Sequence, residues 1–161
     1  MTCDQCGGAT TTERENFLYT ASGLPNVTLV GVEVVRCPQC GGFEVAIPRI
    51  EELHRVIAQA VVRKPAPLTA AEVRFLRKWL GWSGVDFAAH MGVTPETVSR
   101  WETDAQPPGS AAERALRLMV VTRAPVQDYS LELLKAIDVN ATGPFRVQMQ
   151  ADETGWHPVA A

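Results

Sequence analysis

The stretch Ser83-Gly-Val-Asp-Phe-Ala-Ala-His-Met-Gly-Val-Thr-Pro-Glu-Thr-Val-Ser-Arg-Trp101 decides the fold of the C-terminal half of this chain. Ser83 and Thr94 are each placed to cap a short helix, because a hydroxyl at the N-cap accepts a hydrogen bond from a first-turn amide. Between the two helices, Met91-Gly92-Val93 forms a tight connection in which glycine permits a positive φ. Two short helices on a three-residue turn form a helix-turn-helix.

The inner faces of this predicted helix pair have the residues that a close crossing needs. Ala88 is small where the helices cross, and the apolar residues at the inner positions are Phe87, Val93 and Val98. Trp101 follows Val98 by three residues, so it is predicted in the core and not as a base-stacking residue. In this motif the second helix enters the major groove with its N-terminal residues toward the bases. The sequence therefore predicts binding to double-stranded DNA.

The predicted DNA contacts come from the helix caps and the second helix. Arg100 is expected to read a guanine, because one guanidinium bonds O6 and N7 together. Glu96 has two interpretations, since it can accept from a cytosine amino group or favour the dipole at a helix N-terminus. Thr94 can donate to a phosphate in addition to capping its helix. The full set of predicted DNA-binding residues is Ser83, Thr94, Glu96, Thr97 and Arg100.

Two further helices are predicted around the motif. Thr69-Ala-Ala-Glu72 is a capping box that opens a helix ending near Leu80. The segment 110–121 repeats apolar residues at helical spacing and would close the bundle. The first of these helices carries three cations opposite its apolar stripe, predicted either as a solvated face or as phosphate contacts: Arg74, Arg77 and Lys78.

Four cysteines organise the N-terminal half as two Cys-x-x-Cys knuckles, Cys3-Asp-Gln-Cys6 and Cys37-Pro-Gln-Cys40. Both sulfurs of such a knuckle reach one ion, and four thiolates form a closed tetrahedral shell that suits structural zinc and not catalytic zinc. Gly-Gly follows each knuckle and lets the backbone aim amides at the sulfurs. We expect one structural Zn²⁺ per chain, bound by Cys3, Cys6, Cys37 and Cys40.

Two other uses of the thiols stay open. Two disulfides would need an oxidising compartment, yet no signal-peptide pattern precedes Cys3. A redox-active knuckle would need to open a helix within a βαβ unit, which the sequence does not predict. Both are expected less than zinc binding.

The segment between the knuckles predicts a β-hairpin. Residues 15–21 and 27–36 are rich in β-branched and aromatic residues, and Ser22-Gly-Leu-Pro-Asn26 supplies the turn. This hairpin would return the second knuckle to the first, as in a zinc ribbon. A short strand over 43–47 would follow, and then a helix with Pro48 in its first turn. His54 lies in that helix, where a boundary position is expected more than metal ligation.

These elements predict an α+β protein, with a small β-hairpin, zinc-ribbon-like domain followed by an all-α, lambda-repressor-like helix-turn-helix domain. Two prolines at 65 and 67 force extended geometry and mark a boundary. The C-terminal extension has no predicted function, and Trp156 within it is expected either to fray with the terminus or to dock. The predicted division is residues 1–63 zinc-binding domain with a trailing helix, 64–68 linker, 69–127 helix-turn-helix domain and 128–161 extension.

Charge and composition exclude several classes of protein. The chain has 15 Lys and Arg against 18 Asp and Glu, so it lacks the excess of positive charge that is typical of a strong nucleic-acid binder. DNA binding must therefore use a local face. No apolar run approaches the roughly 20 residues that span a bilayer, and with reduced thiols we expect a soluble, cytoplasmic protein with no membrane partner. No clustered His/Asp/Ser constellation or phosphate-binding loop is present, so we expect no enzymatic activity and no catalytic residue.

The chain resembles the MqsA-type antitoxin family, in which a YgiT-type zinc finger precedes an Xre/Cro-like helix-turn-helix. The resemblance covers about residues 1 to 122 and is carried by the four cysteines, by Thr69–Glu72 and by Val93–Glu102. It implies a structural zinc, an N-terminal lobe that binds a cognate toxin, and a C-terminal lobe that dimerises on operator DNA and represses its own operon. The family's base-reading Arg falls on Arg100, and its preceding Asn falls on Glu96, which implies a different operator.

Two other functions stay open beside the antitoxin. One is a stand-alone zinc-finger/helix-turn-helix transcriptional regulator with no toxin. The other is a protein-interaction adaptor that keeps the helix-turn-helix as a packing scaffold, an interpretation favoured by the near-neutral charge and by Glu96.

Overall fold

A computed structural model describes residues 1–123 and 129–160 of the chain. An N-terminal β-sheet region is followed by a helical region, so the predicted α+β class is confirmed. A single 3-10 turn, Thr20–Ser22, lies in the first hairpin. The strands and helices are β1 Thr11–Leu18, β2 Val27–Arg36, β3 Phe43–Val45, α1 Ile50–Val62, α2 Ala70–Trp79, α3 Gly84–Met91, α4 Pro95–Glu102, α5 Ser110–Arg123, α6 Leu131–Lys135, β4 Val147–Asp152 and β5 Gly155–Pro158.

The predicted hairpin is present as the antiparallel pair β1 and β2, with β1 beginning four residues earlier than expected, at Thr11. A bulge interrupts its register opposite Gly31, which has a φ of 66° and donates its N–H to Asn16 Oδ1. The bulge shifts the side-chain alternation, so that the buried positions of β2 change from 27 and 29 to 32 and 34. The inner face of the sheet therefore stays apolar along the whole strand.

The C-terminal extension completes this sheet. Residues 147–149 of β4 pair in parallel with residues 27–29 of β2, and β5 pairs antiparallel with β4. Trp156 on β5 is only 3% exposed, and its indole N–H donates to the carbonyl of Pro48 at 2.8 Å. A frayed C-terminus is therefore wrong for residues 147–158, and docking of Trp156 is confirmed.

Helix α1 packs its buried face, which includes Leu53, Ile57 and Val61, against the sheet and against α2 and α5. The prediction that Pro48 lies in its first turn is wrong. The helix begins at Ile50 after Arg49, which adopts a left-handed conformation with a φ of 48°. The Pro48 carbonyl accepts a hydrogen bond from the Trp156 indole N–H.

The predicted linker, residues 64–68, is not an exposed tether, because Lys64 and Leu68 are both buried. The Arg117 guanidinium, 1% exposed, donates to three carbonyls of this segment and its neighbour: Val62, Lys64 and Ala66. It also pairs with Glu113 at 2.7 Å, and Lys64 pairs with Glu72 at 2.8 Å. We refer to Lys64, Glu72, Glu113 and Arg117 as the buried ion-pair network.

One hydrophobic cluster runs from the sheet to the helix-turn-helix. It includes Leu29 on β2, Ile57 on α1, Leu76 on α2 and Trp101 on α4. The two halves of the described chain therefore share a core. The predicted division into domains stays a prediction, and its boundary between 127 and 128 lies outside the described residues.

Candidate metal centre and nucleic-acid interface

The two knuckles bring the four cysteine sulfurs to one point, all within 4.8 Å of one another. The Sγ atoms of Cys3 and Cys40 are 3.6 Å apart, and those of Cys6 and Cys37 are 3.4 Å apart. In a tetrahedral site with Zn–S bonds of about 2.3 Å, neighbouring sulfurs stand about 3.8 Å apart. The cluster therefore fits a Zn²⁺ ion after a small outward movement of the sulfurs.

The backbones of the two knuckles repeat each other. The first cysteine of each donates its N–H to the carbonyl of the second following glycine and accepts from the N–H of the first, at 2.8 Å in one knuckle and 2.9 Å in the other. Gly7 and Gly41 make this turn with φ values of 72° and 73°, a region that glycine enters at no steric cost. The positive φ predicted for the Gly-Gly pairs is thus present at the first glycine of each pair and absent at the second, Gly8 and Gly42.

The knuckle backbone also favours the thiolate form that a metal needs. The backbone amide of Cys40 lowers the pKa of the Cys37 thiol to about 6, helped by the amide of Gln39. The amides of Gly8 and Gly42 likewise lower the pKa of the Cys6 and Cys40 thiols, but the neighbouring thiols and burial outweigh them and raise the pKa of Cys6 to about 12 and that of Cys40 above its usual value. Backbone N–H groups that stabilise thiolates raise the affinity of a site for zinc. His54 lies elsewhere, bonded through Nε2 to the Tyr19 hydroxyl at 2.9 Å.

The helix-turn-helix has the capping that its sequence predicts. The Ser83 and Thr94 hydroxyls accept from first-turn amides of α3 and α4, and Gly92 ends α3 in a left-handed conformation with a φ of 68°. The predicted inner residues Phe87, Ala88 and Val98 are buried, as is Trp101, whereas Val93 is half-buried. This packing leaves the opposite face of α4 open to solvent.

The predicted DNA-binding residues lie on that open side of the pair. Ser83, Thr94, Glu96 and Arg100 are exposed, and Thr97 is half-buried. Within residues 1–123 and 129–160, the Arg100 guanidinium has no hydrogen bond and no ion pair, so it is available to a ligand. The carboxylate of Glu96, one turn earlier, is likewise unpaired among these residues.

The two caps differ in how freely they can meet a phosphate. The Ser83 hydroxyl donates to Asp86 Oδ2 at 2.8 Å and its amide donates to the same oxygen at 3.1 Å. These bonds from the Ser83 hydroxyl and amide hold the pKa of Asp86 below its usual range. A fixed anion thus occupies the N-terminus of α3, where a DNA phosphate would otherwise approach. Among the described residues, the Thr94 hydroxyl bonds only Thr97, through its amide and hydroxyl.

Among the three cations predicted on α2, Arg77 has a structural partner. Its Nε donates to Glu102 at 2.7 Å and its Nη1 to the carbonyl of Trp82 at 2.9 Å, which ties α2 to the end of α4. The sequence analysis missed this role, since a separation of 25 residues leaves no local signal. Arg74 and Lys78 are exposed, in the position expected for either solvent or phosphate.

Trp82 was not singled out from the sequence, yet it positions the helix pair. Its ring stacks on the His90 ring, with the two centroids 3.8 Å apart. The guanidinium of Arg123, which lies on α5, is 5.9 Å from the centroid of the Trp82 ring. His90 in turn bonds the Asp86 carbonyl through Nδ1. These contacts fix the orientation of α3 relative to α5, and with it the surface that α3 and α4 present.

Residues 70–128 match the family model described as a helix-turn-helix domain. No curated protein and no solved structure matches this chain. The match covers α2 to α5 and supports a DNA-binding regulator of the Xre-like helix-turn-helix kind, while membership of the MqsA-type family is not shown. Among the described residues, no helix is long and apolar enough to cross a membrane.

Proposed function

We propose that this protein is a sequence-specific transcriptional repressor that binds double-stranded operator DNA as a homodimer. The observation that carries the proposal is the unpaired, exposed Arg100 on a helix whose other face is fixed in the core by Val98 and Trp101. A guanidinium held in this way meets a guanine edge without first breaking an ion pair inside the protein. The dimer follows from the half-site spacing that such motifs read, about one turn of DNA apart.

Contacts at the two ends of α4 set how precisely Arg100 is presented. Arg77 holds Glu102 at the C-terminal end of α4, while Thr94 fixes its N-terminal turn. Affinity is expected to be modest, because the carboxylates of Asp86 and Glu96 stand at the N-termini of the two helices that approach the phosphates. Specific base contacts, more than charge, would then distinguish the operator from other DNA.

Fluorescence anisotropy with labelled DNA from upstream of the gene tests this proposal. Arg100→Ala should weaken binding to that DNA by about 5- to 150-fold, the value of one bidentate base contact. Binding to a scrambled duplex should change far less. Arg14→Ala is a matched control, since it removes one exposed arginine from β1. Equal, sequence-blind affinity of wild type and Arg100→Ala would refute base reading.

We propose, further, that the zinc-binding lobe serves a cognate toxin and that the pair represses its own operon. The order of a four-cysteine lobe before a helix-turn-helix supports this role, as do the exposed apolar residues Met1, Leu18 and Phe43 on the lobe. Co-expression with the neighbouring small gene tests it, with growth as the readout. Growth arrest that the full chain relieves is expected. Unrelieved arrest, or a neighbour without toxicity, would leave a stand-alone regulator.

The zinc itself would hold the lobe in shape, bound by Cys3, Cys6, Cys37 and Cys40. Four thiolates leave no position for water or substrate, so we propose no enzymatic step for this chain. The adaptor alternative predicts that the chain does not bind operator DNA and therefore shows no salt-dependent affinity for it. A steep fall in operator affinity between low and high salt would exclude it.

A further inference from the structure

The two most exposed cysteines are each covered by a glutamine from the other knuckle. Cys6 and Cys40 are exposed. Gln39 Oε1 lies 4.0 Å from Cys6 Sγ, and Gln5 Oε1 lies 3.8 Å from Cys40 Sγ. Both glutamines stand immediately before the second cysteine of their own knuckle, so the arrangement repeats the symmetry of the backbone.

The second glycine of each knuckle makes room for these side chains. A Cβ at Gly42 would meet Gln5 Oε1 at 2.9 Å, and a Cβ at Gly8 would overlap Gln39 Oε1. Neither glycine has a positive φ, unlike Gly7 and Gly41, so the backbone conformation does not require glycine at either place. A side chain at Gly8 or Gly42 would therefore displace the amide of the opposite glutamine.

Binding of a metal to the cysteine sulfur determines which end of the glutamine amide, oxygen or nitrogen, faces that sulfur. The bound sulfur has lost its proton and can only accept hydrogen bonds. The oxygen and nitrogen of a glutamine amide occupy nearly the same positions after a half-turn of the amide, and the hydrogen-bond partner decides which end faces it. Facing a thiolate, Gln5 and Gln39 therefore present Nε2–H and not Oε1.

We propose that Gln5 and Gln39 are positioning residues of the metal centre, each donating an N–H···S bond across to a thiolate of the other knuckle. This proposal rests on the proposed zinc site. Each bond joins one knuckle to the other, and it draws electron density from the sulfur that is least shielded by protein. Outer partners of this kind typically contribute about 10- to 100-fold in metal affinity.

The test uses the full-length, zinc-loaded chain and the variants Gln5→Met and Gln39→Met, which keep side-chain length and remove the donor. Gln106→Met is the matched control, the same change at an exposed residue after α4. Chelator competition should show a zinc dissociation constant raised by about tenfold or more in each knuckle variant and unchanged in the control. With Co²⁺ in place of zinc, the sulfur-to-cobalt charge-transfer band should move to lower energy.

Because each proposed bond joins one knuckle to the other, the rate of alkylation at each cysteine tests the proposal most directly. Alkylation by iodoacetamide, followed by peptide mapping, should be faster at Cys40 in Gln5→Met and faster at Cys6 in Gln39→Met. Gly42→Ala should reproduce the Gln5→Met result, because its Cβ displaces the Gln5 amide.

Three results overturn the proposal. Zinc affinities equal to that of Gln106→Met would show that the glutamines donate nothing to the sulfurs. Faster alkylation of the cysteine in the same knuckle would show a local effect on the turn and not a bond across the centre. A wild-type chain that binds neither Zn²⁺ nor Co²⁺ would refute the metal centre itself, a failure separate from the first two.

Discussion

Replacement of Arg117 by Met should remove a large part of the stability of this protein. The guanidinium is 1% exposed and donates at 2.6–3.0 Å to the carbonyls of Val62, Lys64 and Ala66, and at 2.7 Å to Glu113. Met keeps an apolar stem of similar shape but lacks the guanidinium, so some packing is lost together with the hydrogen bonds. The variant leaves three carbonyls without this donor and a buried carboxylate without its counter-charge.

The magnitude follows from the buried charge. Removing one partner of a buried ion pair costs about 3–5 kcal/mol, mostly because the other charge stays buried and uncompensated. Glu113 retains one bond, from the amide of Leu68 at 3.0 Å. The three carbonyls add to the cost, but relaxation of the segment recovers part of it, so we expect a loss of about 3–5 kcal/mol in the free energy of unfolding. Domains of this size are typically stable by only about 5–15 kcal/mol.

Urea denaturation, followed by circular dichroism and by tryptophan fluorescence, measures this loss. Arg114→Met is the matched control and should cost less than about 0.5 kcal/mol, because within the described part of the chain the Arg114 side chain bonds only the Ser110 carbonyl, one turn earlier on α5. Adding Glu113→Gln to Arg117→Met removes the stranded charge and keeps an acceptor for the Leu68 amide. The double variant should therefore be more stable than the single one. A loss below about 1 kcal/mol in Arg117→Met, or no recovery in the double variant, would refute the reasoning.

Three further predictions follow from the shared core, from His54 and from Trp156. Removal of zinc by a chelator should lower the urea midpoint. Because one hydrophobic cluster joins the two halves, the fluorescence of Trp156 and of the helix-turn-helix tryptophans should change in a single transition, and two separate transitions would contradict this. Burial lowers the pKa of His54, so below the ordinary histidine pKa of about 6.5 the unfolded chain binds more protons than the folded chain and the free energy of unfolding should fall. His54→Gln should reduce this pH dependence in urea titrations at pH 5 and 7. Trp156→Ala should cost about 3–5 kcal/mol in thermal or urea unfolding, as for a buried core aromatic, whereas a frayed terminus would cost nothing.

Much of the two candidate sites was predictable from short stretches of sequence. The capping boxes, the left-handed Gly92 and the buried Val98 depend on contacts between residues within one or two turns of a helix. The four-cysteine cluster is predictable for a similar reason, because each knuckle is a local turn and one hairpin brings the two together. The ion pair of Arg77 was not predictable, since Glu102 lies 25 residues further along the chain.

The sequence by itself determined the local geometry of this protein: where helices begin, where a glycine turns the chain, and which four sulfurs can share an ion. Only the tertiary structure decided that residues 147–149 pair with residues 27–29, that Arg117 bonds the carbonyls of the predicted linker, and that each knuckle's glutamine lies near the second cysteine of the other knuckle. The physical reason is range. Caps and turns are fixed by hydrogen bonds between residues a few positions apart. The other contacts join residues far apart in the sequence and form only when the whole chain packs, so no local spacing predicts them.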